Sequence, residues 1–299
     1  LNLKTMSQRL NQSVTFRGVG IHSGRPVTLT IHPSKLGSGI VFERKDKSGY
    51  QIPLTIDTLH TANRSTIIRK GDVIIQTPEH FLSALYGLEI RDARLELDSD
   101  ECPILNGSAD GIVHKLVASN LGDTQVINEL VHNSISNQVG STIDVEHSLT
   151  IDKSHYVTCG EDKEKSFLIL PSDVCRITYI LEYSDSFVGN QIADIVVTKN
   201  SYENQICMCR TYGFEHEILA LIDRGLIKGA SLENAILVKE NSFSTDLKFP
   251  NELALHKILD LLGDIAVLGA SVNGHIIARK TGHLENIILA KYLVNLQKG

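Results

Sequence analysis

The amino-acid sequence predicts an α+β fold of two similar units, each laying helices on a mostly antiparallel sheet. Three observations predict it. Short β-rich runs bounded by Gly, Pro and Ser open the chain and return after position 150. Each half carries an apolar, His-led helical run that leads into a strand: "EHFLSALYGL … ARLELD" and "LHKILDLLGD … GHIIARK". The chain has 299 residues and is 42 % hydrophobic, enough for two domains of about 100–200 residues with a sizeable core. The rhyme between the halves falls short of showing duplication. It does suggest that two helices, one per unit, face each other across a shared site.

The elements follow in order. "VTFRGVGIHSG" (14–24), "VTLTIHP" (27–33) and "GIVFERKD" (39–46) read as strands. "TPEHFLSALYGL" (77–88) reads as a helix, with Thr77 as N-cap, Pro78 first, Glu79 at the positive end and Gly87 as terminator. "ARLELD" (93–98) is an alternating strand and "SADGIVHKLVASNLG" (108–122) a short helix. "DTQVINELVHNS" (123–134) is the expected crossing, dividing the chain into domains 7–124 and 125–299. Strands follow at 155–159, 166–170, 175–183 and 193–199. A helix starts near Phe214, a strand covers 234–238, and a leucine-rich helix covers 251–264. A strand at 274–280 and an amphipathic helix at 283–297 close the chain.

Composition excludes several classes. The net charge is −6 with no long basic run, so a nucleic-acid partner is not expected. No apolar stretch reaches the ~18 residues that span a bilayer. "LNLKTMSQRLNQ" lacks the apolar centre of a signal peptide, so a cytoplasmic location is expected. The five cysteines form no C-x-x-C pair, which suggests reduced thiols. Cys207-Met208-Cys209 has the donors of a soft-metal site, but packed strand or loop cysteines are the simpler reading.

The leucine-rich helix carries His256, Asp260 and Asp264 at i, i+4 and i+8, one stripe of ionisable groups. A neutral His and a carboxylate so spaced can hold one Zn²⁺. Taken alone, a solvated His/Asp pair is the commoner cause of such spacing. Glu79 and His80 are adjacent near a helix start and point about 100° apart, so one could ligate while the other addresses a bound water. A dipole-complementing Glu79 beside a surface His80 explains the same pair. His283 follows Gly282; beside Asp264 it would be oriented and held as imidazolium, and otherwise it is a loop histidine. His22, in "GVGIHSG", reads most simply as a turn residue.

Together the motifs are specific. "GVGIHSG", "TPEHFLSALYGL", "PILNGSA", "CRTYGF", "LHKILDLLGD" and "KTGH" occur in the order and near the spacing of the UDP-3-O-acyl-N-acetylglucosamine deacetylase family, which the chain resembles from about Ser7 onward. That family carries out the zinc-dependent committed step of lipid A synthesis. The resemblance implies two βααβ-type layered domains with helices packed between two mostly antiparallel sheets. It implies one zinc ion per chain on His80, His256 and Asp260, although Fe²⁺ would fit similar ligands. It implies Glu79 as general base, His283 as the neighbouring cationic histidine, Asp264 as its carboxylate partner, and Thr211 polarising the scissile carbonyl. Lys257 and Tyr212 would contact the substrate, Tyr212 standing where the family usually has Phe. An insert at about 211–240 would form an acyl-chain passage lined by Ile218, Leu221 and Leu232. Asn106 departs from the family's Asp, with a local turn effect expected. A lysine associated with the nucleotide diphosphate has no clear equivalent around 166–174.

The expected protein is therefore a monomeric cytoplasmic zinc amidase acting on a UDP-linked acylated sugar. Two rivals are a zinc peptidase, disfavoured by the missing H-E-x-x-H, and a non-catalytic relative, disfavoured by the intact Glu79.

Overall fold

The computed structural model describes residues 8–62, 65–120, 148–160, 163–183 and 186–298. The expected crossing at 123–134, and with it the boundary at 124/125, lies outside the described residues.

The chain opens with β1 (Val14–Val19), β2 (Pro26–Pro33), β3 (Ile40–Arg44) and β4 (Tyr50–Pro53). A small meander follows, β5 (Leu59–Ala62), β6 (Ser65–Lys70) and β7 (Val73–Gln76). Then come α1 (Glu79–Gly87), β8 (Ala93–Leu97) and α2 (Asp110–Asn120). The first large sheet has the order β1-β2-β8-β3-β4, antiparallel except for β3 beside β8. Its strands bury alternate residues, Val27, Leu29 and Ile31 on β2 and Ala93, Leu95 and Leu97 on β8, as one covered face requires.

The second half contributes β9 (Ser148–Thr150), β10 (His155–Cys159), β11 (Lys165–Leu170), β12 (Cys175–Tyr183) and β13 (Gly189–Val196). After α3 (Lys199–Asn204) come β14 (Tyr212–Phe214), α4 (Glu215–Asp223) and β15 (Ile236–Val238), with β14 and β15 paired in parallel. Next are α5 (Glu252–Ile265), β16 (Ser271–Arg279) and α6 (His283–Lys298). The second large sheet runs β10-β11-β16-β12-β13, with β9 also on β16. No helix among the described residues is long and apolar enough to cross a membrane.

The core lies where α1 crosses α5. Every residue of α1 is buried, and every residue of α5 except Lys257. Helices covered all round belong to an interior layer. Phe81 of α1 meets Phe16 of β1 edge-on, with centroids 5.3 Å apart, while α5 packs on β12 and β13. Gly263 makes the crossing possible, since a Cβ there would lie 2.2 Å from the Glu79 carbonyl oxygen. Gly87 ends α1 against the ring of buried Tyr202, whose hydroxyl donates to Ser83 Oγ at 2.8 Å.

Three expectations need correction. Thr77 is not an N-cap: its φ is +55°, its hydroxyl has no partner among the described residues, and α1 starts after Pro78. The reason is the turn out of β7. Gln76 N–H is held by Asp100 O at 2.8 Å and Thr77 N–H by Thr66 O at 3.0 Å, so the chain must swing sharply into the helix. The strand expected at 193–199 ends at Val196, because Thr198 caps α3 in a reciprocal pair with Ser201. The strand expected over 14–24 stops at Val19 and becomes a turn.

Gly263→Ala should destabilise the protein by about 1–3 kcal/mol through overpacking. Gly111→Ala, in α2 with open space at its Cβ position, should stabilise it by about 0.5–1 kcal/mol. Urea unfolding of both variants checks this; a neutral Gly263→Ala would mean the helices can part freely.

Candidate metal centre

The crossing lays the first turn of α1 against the middle of α5. His80 Nε2 lies 3.8 Å and His256 Nε2 3.4 Å from Asp260 Oδ1. The two imidazoles meet edge-on, with centroids 5.2 Å apart and planes at 88°. One ligand atom from each of His80, His256 and Asp260 falls within 4.8 Å of the others, and all three residues are buried.

The protonation states suit a cation. Burial, reinforced by His256, lowers the His80 pKa to about 3. Burial also lowers His256, against the pull of Asp260. Both rings are therefore neutral. His256 Nδ1 donates to Cys209 O at 3.0 Å, which leaves the Nε2 lone pair aimed at the cluster. Burial opposes ionisation of Asp260, but Lys257, His256, His283 and His80 together hold its carboxyl well below the usual range. Lys257 Nζ donates to Asp260 Oδ2 at 2.9 Å and sits 5.5 Å from the Tyr212 ring centre. Two neutral imidazole nitrogens and one carboxylate oxygen converging in a buried site fit a divalent metal ion.

Glu79 and His283 stand beside the cluster. Glu79 Oε1 is 3.7 Å from His283 Nε2, and Glu79 Oε2 has no hydrogen-bond partner among the described residues. Burial raises the Glu79 pKa to about 8; His283 pulls it down, while Asp264 and Asp260 push it up. His283 opens α6. Burial there disfavours its charge, but Asp264, Glu79 and Asp260 outweigh that and raise its pKa to about 9. Its Nδ1 donates to Asp264 Oδ2 at 2.9 Å. Asp264, fully buried, also accepts from Asn286 Nδ2 at 2.9 Å and from the Thr66 hydroxyl.

A second network brings "CRTYGF" to this centre. Buried Glu252 accepts from Arg210 Nε at 2.9 Å and Nη2 at 3.0 Å, and from the Arg210 N–H at 3.0 Å. Thr211 N–H donates to Gly107 O at 2.7 Å and Ile236 N–H to Thr211 O at 2.8 Å. The Tyr212 hydroxyl lies 3.0 Å from that of Tyr183.

One cavity of about 420 Å³ joins these parts. Its polar end holds Glu79, His80, Thr211, Lys257, Asp260 and His283. Its other end is apolar, with Ile21, Ile218, Leu221, Ile222, Ile227 and Leu232. Tyr212 lies along the wall, and Leu232, 65 % exposed, sits at the rim. His256 and Asp264 do not line the cavity; they back the residues that do. His22, read as a turn residue, lines it as well.

Sequence reasoning missed Thr66, Asn286 and Glu252. Only Asn286 carried a signal, lying three residues after His283 on one helix face. The Cys207 and Cys209 thiols each donate to a backbone carbonyl, and burial raises both pKa values, so they are packing residues. Asn106 Oδ1 accepts from Ser108 Oγ at 3.0 Å, a bond that an Asp oxygen at this position would accept equally.

Comparison with known proteins bears on this centre. The family model described as LpxC, UDP-3-O-acyl N-acetylglycosamine deacetylase, matches residues 7–295. The chain belongs to this family. A UDP-3-O-acyl-N-acetylglucosamine deacetylase of Chlamydia abortus is 32 % identical over 297 residues, covering 98 % of this chain and 99 % of that protein. Its namesake from Leptospira biflexa is 33 % identical over 293 residues, covering 97 % and 90 %. The family assignment spans both helices of the crossing, so Glu79, His80 and the α5 stripe all lie within the matched residues.

If this cluster holds an ion, His80→Ala should lower bound metal to a small fraction of the wild-type content, with His256→Ala doing the same. Elemental analysis of purified protein checks this. Full occupancy in His80→Ala would remove α1 from the ligand set.

Proposed function

We propose that the protein hydrolyses the acetamide of a UDP-linked 3-O-acyl-N-acetylglucosamine and releases acetate, a step of lipid A biosynthesis. The observation that carries the reading is the single cavity. Its polar end gathers the ligand cluster with Glu79 and His283, and its other end is apolar, as a substrate bearing both an amide and an acyl chain requires. Family membership and the printed names of the relatives support the same chemistry.

His80, His256 and Asp260 would hold one divalent ion. Their N,N,O set suits Zn²⁺, and Fe²⁺ fits similar ligands. When bound, the ion supplies a Lewis acid that acidifies water and polarises a carbonyl. Glu79, ionised, takes the proton of the attacking water. Its high pKa makes it a strong enough base, and later a proton carrier. The Thr211 hydroxyl donates to the developing oxyanion. His283, charged at neutral pH, stabilises that negative charge, and it or protonated Glu79 delivers a proton to the leaving amine. Lys257 and Tyr212 contact the sugar. Ile218, Leu221 and Leu232 contact the acyl chain. A cytoplasmic monomer completes the reading; five free cysteines, four of them buried, fit a reducing compartment. The deciding experiment is acetate release from the UDP-sugar by metal-loaded protein, beside a peptide panel. Peptide cleavage without acetate release would replace the reading with a peptidase.

Glu79→Gln should keep its metal and lose about 10²–10⁴-fold in kcat, the usual loss for a missing general base. A metal-free Glu79→Gln protein would make Glu79 a ligand instead.

The rate against pH should be bell-shaped. Glu79 must be ionised, so activity rises with pH through its pKa. His283 must be protonated, so activity falls as pH rises through its pKa, about 9 before any metal binds. Removing a carboxylate lowers the pKa of a neighbouring histidine. In Asp264→Asn the alkaline limb should therefore move to lower pH. It should move further than the acid limb, because Asp264 bonds His283 directly and acts on Glu79 only through space. An unmoved alkaline limb that also survives His283→Gln would leave His283 without a titrating role.

A further inference from the structure

The apolar end of the cavity is built on the segment between β14 and β15, and backbone hydrogen bonds tie that segment to the first half of the chain. Lys228 N–H donates to His22 O at 3.1 Å and Gly229 N–H to Ile21 O at 3.0 Å. The contact is backbone on backbone: a Cβ on Gly229 would lie 2.3 Å from Gly20 O. The receiving turn, 20–25, is held in turn by Glu101. This fully buried carboxylate accepts His22 N–H at 2.8 Å on Oε1 and Ser23 N–H at 2.9 Å on Oε2. It comes so close that a Cβ on Gly20 would lie 2.0 Å from Oε2. Glu101 also bridges Gln76, and Cys102 N–H donates to Gln76 O at 2.9 Å, two residues before Pro78 and α1.

We infer that Glu101 is a positioning residue for substrate specificity: through the 20–25 turn it fixes the wall of the apolar end, and so the fit of an acyl chain. The inference rests on reading that end as the acyl site. Glu101 does not line the cavity. It acts through Ile21 and His22, which do, and through the backbone bonds to Lys228 and Gly229, whose neighbours Ile227 and Ala230 line it too. Two backbone N–H groups pointing at one buried carboxylate are charge-assisted bonds, the stronger kind. Glu101→Gln replaces one acceptor oxygen with an NH2 that meets an N–H.

The test uses the 299-residue chain with Glu101→Gln, and Gly229→Ala as a second variant that parts the same contact without touching the carboxylate. Hydrogen exchange should quicken about tenfold at His22, Ser23, Lys228 and Gly229 and stay unchanged through α5, as expected for losing one such bond. Affinity for laurate should fall about tenfold while affinity for UDP holds. On the UDP-sugar, KM should rise for the long-acyl form and not for a form lacking the acyl chain, with kcat preserved. Unchanged protection at Lys228 and Gly229, or equal losses for laurate and UDP, overturns the inference. Wild-type protein that releases no acetate would sink the deacetylase reading, while exchange and laurate binding still decide the role of Glu101.

Discussion

The site depends on how closely α1 approaches α5. Two buried helices carrying Phe, Leu and Ile side chains would ordinarily stand 8–10 Å apart. Here the absent side chain of Gly263 lets the Glu79 backbone come into contact, and the residues that follow inherit that position. His80 then reaches Asp260, while Glu79, the adjacent residue, turns toward His283. The apolar burial that drives the crossing thus pulls ionisable groups into the interior with it. Burying charges is unfavourable unless they are paired. The rest of the centre is the set of pairings that makes the burial tolerable.

Asp260, Asp264 and Glu79 face Lys257 and His283, with His80 and His256 neutral. Three carboxyls against two cations leave one negative charge too many. Glu79 takes the burden: burial raises its pKa to about 8, and its Oε2 has no hydrogen-bond partner among the described residues, whereas Lys257 donates to Asp260. Asp264 is secured by His283, Asn286 and Thr66. A divalent ion at the ligand cluster would add positive charge beside Glu79 and favour its ionised form. On the proposed reading, binding of the ion and ionisation of Glu79 would be one electrostatic event.

Much of this was legible from the sequence where the interaction is local. His256, Asp260 and Asp264 lie four apart, so helix geometry alone aligned them, and α5 falls within one residue of the expected span. The Glu79–His80 pair implied divided roles for the same reason. Other parts were readable and overlooked: "IIRKGDVIIQ" makes the β6–β7 hairpin about Gly71, and Thr198 with Ser201 signals the start of α3. What stayed hidden is long-range. Thr66 reaches Asp264 across 198 residues of sequence, and Glu101 reaches His22 across 79. No periodicity encodes such pairings. Thr77 misled because its residue type suits an N-cap, while the bonds of Gln76 and Thr77 to neighbouring strands impose a left-handed turn.

The central claim is that one buried centre holds its histidines in opposite states, His80 and His256 neutral and His283 cationic. The direct measurement is ¹⁵N NMR of the histidine rings in metal-free protein at pH 7.5. The account predicts His283 as imidazolium, His80 as neutral, and His256 as the neutral tautomer protonated at Nδ1. A neutral His283, or a charged His80 or His256, would contradict it.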